Sequence, residues 1–181
     1  MSRLKPVNPD EATGKLKEML DAVKSQFGVV PNIIKIMANS PAALEAYLSF
    51  SGAMANSSLA ESLREKIALI VAEANGCDYC LAAHTAKGKK LGLSEEDILQ
   101  SRQGASEEEK EQTALRFARS VVDKRGWVDD DQVKALRDVG YEEEQITDIV
   151  ATVVLNMYTN YFNHVADTDV DFPKVPELAA K

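Results

Sequence analysis

SLAESLREKIALIVAEANGCDYCLAAHTAKGKKL, residues 58–91, reads as two helices separated by one turn. Ser58-Leu-Ala-Glu61 has the spacing of a capping box, which predicts a helix start. Leu63, Ile67, Ile70 and Val71 then recur at three- and four-residue intervals and mark a buried stripe. Asn75-Gly76 interrupts this pattern, and a second helix is expected to carry Cys77, Cys80 and His84 and to run to about Leu91. At about 100° per residue, offsets of three, four and seven bring those three side chains within roughly 60° of one another. Both cysteines of the chain and one of its two histidines would therefore share one helical face.

Outward from this pair, helical periodicity continues along nearly the whole chain, and no two-residue alternation is long enough to require a sheet. The fold class is all-α, a compact multi-helix bundle forming a single domain over residues 1–181. Asn8-Pro9-Asp10 predicts a first helix to about Gln26, stopped by Gly28. Ser40-Pro41 opens another after a short helix near 32–38. Leu-Gly-Leu-Ser-Glu-Glu-Asp-Ile at 91–98 is echoed by Val-Gly-Tyr-Glu-Glu-Glu-Gln-Ile at 139–146, where a glycine closes one helix and acids begin the next. Ser106 to Lys124, Asp129 to Val139, and Glu142 to about His164 complete the helices. Trp127 and Tyr141 are expected to anchor helix ends, and Tyr158, Tyr161 and Phe162 to lie in the core or a subunit interface. From Asp167 the chain reads as an extended, loosely held tail.

With 29 acidic against 21 basic residues the formal net charge is -8, which argues against nucleic acid or an anionic membrane as partner. The first residues lack the apolar core of a signal peptide and no later stretch suits a membrane span, so the cytosol is the default address. Exposed disulfides are reduced in that compartment, which makes a close cysteine pair more often catalytic, redox-sensing or metal-binding than structural.

Cys-x-x-Cys alone fits a redox dithiol, half a zinc site, half a haem attachment signal, or two buried small residues. Zinc is disfavoured because only Cys77, Cys80, His84 and the distant His164 are available. Covalent haem needs histidine where Leu81 stands. The thioredoxin pattern is absent because the pair follows a helix rather than a strand. A redox dithiol is thus the favoured reading, and it needs a thiolate. The positive end of the new helix favours Cys77 as the more acidic thiol, whereas His84, one turn on, favours Cys80.

The run from Leu63 to His84, with Glu65, eleven intervening residues and then Asn75-Gly76-Cys77-x-x-Cys80-x-x-x-His84, resembles the signature of the alkylhydroperoxidase D-like proteins of the carboxymuconolactone decarboxylase superfamily. Gly28-Val-Val-Pro31-Asn32, Ser40-Pro41, Asn160-Tyr-Phe-Asn163 and Val165-Ala166-Asp167 are similar to its peroxidase-related branch. The resemblance implies an all-helical, homo-oligomeric thiol peroxidase, as trimers or hexamers, serving antioxidant defence. It implies that Cys80 attacks the hydroperoxide and Cys77 resolves the product as a disulfide, with His84 in the proton relay and Glu65 as its base. No metal or organic cofactor is implied, but an external dithiol reductant is, such as a lipoyl-bearing or thioredoxin-like protein. The family prototype carries a histidine between its cysteines where this chain has Tyr79. A decarboxylase of cyclic lactone acids and a non-enzymatic redox-sensing oligomer are the alternatives; such decarboxylases as a rule lack the cysteine pair. On an unbroken helix Glu65 would lie roughly 18 Å from Cys77, so the relay requires Asn75-Gly76 to fold the chain back, or contact through water or another subunit. Glu73 is the nearer competing carboxylate.

Overall fold

The caps and glycine stops produce nine α-helices and no strand among the described residues, 2–178, of the computed structural model. Met1 and residues 179–181 of the expected 1–181 domain lie outside them. In chain order the helices are α1 (Gly14–Phe27), α2 (Asn32–Met37), α3 (Pro41–Ala55), α4 (Glu61–Asn75), α5 (Asp78–Lys90), α6 (Glu95–Arg102), α7 (Glu109–Asp123), α8 (Asp130–Asp138) and α9 (Glu143–Ala166). The all-α bundle expected from periodicity is the architecture found. None of these helices is long and apolar enough to cross a membrane.

α4 lies at the centre because its apolar residues nearly encircle it. The stripe of Leu63, Ile67, Ile70 and Val71 is buried against α7, α8 and α9, while Ala72 on another side joins a second core. That second core is built by α1, α2 and α3 together with the start of α5, and it encloses Cys77, Tyr79, Cys80 and Leu81. The cysteines thus sit beneath a cover of N-terminal helices. Ile70 is 1% exposed, so Ile70→Ala should cost roughly 2–5 kcal/mol by losing burial and leaving a cavity. Urea unfolding at unchanged m-value checks this.

Several helix starts fall later than their local signals indicate. Asn8 closes a turn instead of a helix: the Asp10 N–H donates to Asn8 Oδ1 at 3.1 Å, and α1 begins after Thr13. Ser58 does not cap α4, because its N–H and hydroxyl both donate to Asp148 on α9, at 2.8 and 2.6 Å. A tertiary carboxylate there replaces the local partner. Ser106 likewise accepts from the Glu108 N–H, and α7 starts at Glu109. The two echoed segments do share one geometry, with Gly92 and Gly140 left-handed and a capping box on each following helix, Ser94 with Asp97 and Glu142 with Gln145.

The segment after α9 is extended but not loose over its first residues. Asp169 is bonded to Ser2, the Asn32 side chain donates to the Asp169 carbonyl at 3.0 Å, and the Asn32 N–H donates to Asp171 at 2.8 Å. These partners are more than a hundred residues away in sequence, so no local pattern signals them. Tyr141, expected to anchor a helix end, is buried just before α9, with the Lys110 ammonium 4.6 Å from its ring centroid. Trp127, by contrast, is 85% exposed, so its ring is not packed into a helix end as expected. Along α9, Val150, Val154, Tyr158, Tyr161 and Val165 form one exposed apolar line at spacings of three and four.

Candidate active site

The site depends on the reversal at Asn75-Gly76. Gly76 takes φ 64°, a left-handed conformation that glycine adopts without strain, and the Cys77 N–H bonds back to the Ala72 carbonyl at 2.9 Å. α5 therefore returns alongside α4, and residues nineteen apart in sequence meet. Glu65 Oε2 lies 2.8 Å from His84 Nδ1, and Glu65 Oε1 accepts from Lys87 Nζ at 2.6 Å. The fold-back required of Glu65 is thus present. It brings the carboxylate to the histidine rather than to the sulfurs.

Cys77 is the N-cap of α5, its sulfur accepting from the Cys80 N–H at 3.3 Å, and Cys80 occupies the first turn. The two are joined as a disulfide and are 1% and 2% exposed. Asn163 on α9 donates from Nδ2 to Cys80 Sγ at 3.3 Å. Asn160, one turn earlier, accepts from Asn75 Nδ2 at 2.8 Å and so holds the turn that precedes Cys77.

Burial alone would raise the Glu65 carboxyl, but the His84 imidazole and the Lys87 ammonium outweigh it and hold the pKa down at about 2. The Lys87 ammonium, although desolvation opposes its charge, is pushed up by Glu65 and Glu61. An ionised carboxylate only accepts hydrogen bonds, so His84 Nδ1 carries the proton of that contact. In the neutral ring, Nε2 is then left as the lone-pair acceptor. Glu65 in this state is a weak base, and its contact with Nδ1 fixes the ring and its tautomer. Glu73, the nearer carboxylate, instead pairs with the buried Arg102 of α6 at 2.7 Å.

Tyr79 points into the second core and not toward a relay. Its hydroxyl accepts from the Ile33 N–H at 3.3 Å and bonds to the Asp171 carboxylate, and Phe172 meets its ring edge-on at 5.5 Å. Burial first, and then Asp171, push the phenol far above its ordinary pKa, so it stays protonated. Its contribution is to tie α2 and the tail to the cysteine helix. Tyr47 of α3 is half-buried with its hydroxyl bonded to Ser51, burial pushing its pKa up, and its ring stacks on Tyr158 at 6.4 Å. Tyr158 in turn lies 6.4 Å from Phe162, making an aromatic wall.

α5 carries all three residues that periodicity groups on one face, with Cys77 as its N-cap and Cys80 and His84 within it. Lys87, in the last turn of α5, completes the carboxylate's shell. Asn163 has no local signal beyond its place in Asn160-Tyr-Phe-Asn163. Among the described residues no group of three or more His, Cys, Asp or Glu is arranged to hold a metal ion.

Residues 41–120, which include Glu65, Cys77, Cys80 and His84, match the carboxymuconolactone decarboxylase family. The similarity to that family covers this segment, somewhat under half of the chain. The surrounding architecture is alkylhydroperoxidase D-like. A peroxidase-related protein from Ralstonia eutropha JMP134, described as an alkylhydroperoxidase AhpD core, superposes with a TM-score of 0.83 at 23% identity, covering 94% of this chain and 92% of the other. A peroxidase-related protein from Silicibacter sp. TM1040 gives 0.80 at 23% identity, covering 92% and 94%. The debrominase Bmp8, in complex with 2,3,4-tribromopyrrole, gives 0.82 at 20% identity, covering 94% and 92%. No curated protein matches the chain. At these identities the likeness is one of fold.

Proposed function

We propose that the chain is a thiol peroxidase that reduces hydroperoxides through a Cys77–Cys80 dithiol and disulfide cycle, in antioxidant defence. The observation that carries this reading is the cysteine pair at a helix N-terminus with a carboxylate-held histidine one turn beyond it. Cys80 thiolate attacks the terminal peroxide oxygen, forming an S–O bond as the O–O bond breaks. His84 holds the thiol proton at Nε2 and returns it to the departing alkoxide, which leaves as the alcohol. Cys77 then attacks the Cys80 sulfenic acid, the S–S bond forms, and water departs. Glu65 orients His84 throughout, and Lys87 keeps Glu65 ionised. The cycle needs no metal or organic cofactor, because both electrons come from the two sulfurs.

An external dithiol must return those electrons, and a lipoyl-bearing or thioredoxin-like protein has the required chemistry. Such a reductant is available in the cytosol, the setting this reading favours. The test is peroxide consumption by the full-length protein with a dithiol reductant. Sustained turnover with an organic hydroperoxide is expected. A disulfide that forms with peroxide but turns over with no reductant would identify a sensor instead, and absence of a disulfide would end the peroxidase reading.

The exposed apolar line on α9 supports assembly as a homo-oligomer, such as a trimer or hexamer. Val154→Lys combined with Tyr161→Glu places opposite charges where a second copy would pack. Sedimentation velocity should show this variant as a smaller species than the parent; equal masses would remove α9 as the interface.

A further inference from the structure

We infer that Asn163 is a further catalytic residue: its side-chain amide stabilises the Cys80 thiolate and so selects Cys80 over Cys77 as the attacking sulfur. Two independent features point to this. Asn163 Nδ2 donates directly to Cys80 Sγ at 3.3 Å, across a sequence separation of 83 residues. The same side chain belongs to a residue only 4% exposed, and among the described residues its Oδ1 has no hydrogen-bond partner. A buried amide with one end on the reacting sulfur and the other end unsatisfied is costly to keep for packing alone.

The arrangement also resolves a competition between the two thiols. Cys77 receives one backbone N–H, that of Cys80, together with the field of the helix N-terminus. Cys80 lies one turn before His84, and without a donor of its own it would depend on that histidine alone. The Asn163 amide gives it one, from α9 rather than from the cysteine helix, and the hydrogen bond is made to that sulfur. In the peroxide step negative charge leaves Cys80 as the S–O bond forms. Resolution returns the pair to the disulfide, with Nδ2 still on Cys80. When the disulfide is reduced, two electrons enter and Cys80 leaves as a thiolate into the same hydrogen bond. The unsatisfied Oδ1 can accept from a hydroperoxide O–H or from the alcohol product.

The identity of Cys80 as attacking sulfur rests on the peroxidase reading above, but the thiol's acidity can be measured without peroxide. In a Cys77→Ser background Cys80 is the sole thiol, and serine preserves the N-cap of α5. Thiolate absorbance and the rate of iodoacetamide alkylation against pH give its pKa. Asn163→Ala in that background should raise the pKa by about one unit, the value of one hydrogen bond to a charged group. Asn163→Asp, nearly isosteric, should raise it further by setting a carboxylate against the thiolate. Circular dichroism confirms that each variant is folded, and Asn163→Asp carries the test should Asn163→Ala lose the fold. An unchanged pKa in a folded variant overturns the assignment. A raised pKa in a chain that never reduces peroxide overturns the peroxidase reading and leaves the role of Asn163 in Cys80 acidity standing.

Discussion

Cys80→Ser is expected to abolish hydroperoxide consumption, while Cys77→Ser is expected to complete one attack per chain and then stall. A serine hydroxyl ionises far above neutral pH, whereas a cysteine thiol starts near 8.5 and is lowered by hydrogen-bond donors and a helix N-terminus. Without the sulfur at position 80 the remaining thiol, Cys77, lacks the Asn163 hydrogen bond that this account assigns to the attacking sulfur. Without the sulfur at 77 the sulfenic acid forms but has no neighbour to condense with, and it can be trapped with dimedone. The two variants lose the same disulfide, whose short loop contributes on the order of 2 kcal/mol through denatured-state entropy. Their stabilities should therefore be similar, so a difference in peroxide chemistry reflects the roles of the sulfurs. A Cys80→Ser variant that consumed peroxide as the parent does would reverse the assignment.

The second large effect is at Glu65. Glu65→Gln keeps the shape but removes the charge that holds both His84 and Lys87, at 2.8 and 2.6 Å. The ring loses its fixed tautomer, and turnover should fall by roughly 10²–10⁴, the usual contribution of a positioned acid–base group. Stability should also change in a pH-dependent way. The folded pKa of Glu65 lies below its ordinary value of 4.5, at about 2, so its ionised form stabilises the fold. That stabilisation is complete above about pH 4.5 and is lost as the pH falls toward 2, because protons bind the unfolded carboxyl first. The shift corresponds to something on the order of 3 kcal/mol at neutral pH, or roughly 6–12 °C in melting temperature for a chain of this size. The parent's melting temperature should drop steeply between about pH 4.5 and 2, and that of Glu65→Gln should be lower at pH 7 and flatter below 4.5. Coincident profiles would show that the carboxylate is not held as described.

The helix-turn-helix unit at 61–90 was legible because everything that shapes it is local. A stripe on α4, a glycine able to take positive φ, and a thiol able to cap the next helix all lie within thirty residues. The meeting of Glu65 with His84 follows once Gly76 is known to reverse the chain, and only the register of α5 on α4 had to come from the structure. What stayed hidden depends on partners remote in sequence. Ser58 looks like a helix cap until Asp148 takes both its donors, and Asn8 caps a turn because its side chain closes on Asp10 first. Tyr79 reads as a substituted relay residue, yet Ile33 and Asp171, from opposite ends of the chain, make it a structural tie. Asn163 lies on α9, where one helical turn separates it from Asn160, and nothing in its neighbourhood indicates that it faces a sulfur. Lys87 was visible as a charge near a helix end but not as the second clamp on a buried carboxylate.

The central claim, that Cys77 and Cys80 act together as a peroxide-driven dithiol, is tested most directly by a single turnover. The fully reduced protein is mixed with one equivalent of an organic hydroperoxide, quenched with an alkylating agent, and analysed by intact mass and peptide mapping. The expected result is loss of both titratable thiols, an intrachain Cys77–Cys80 disulfide, and one alcohol released per disulfide formed. Alkylation of both cysteines at the level of the untreated protein, with the hydroperoxide intact, would contradict it.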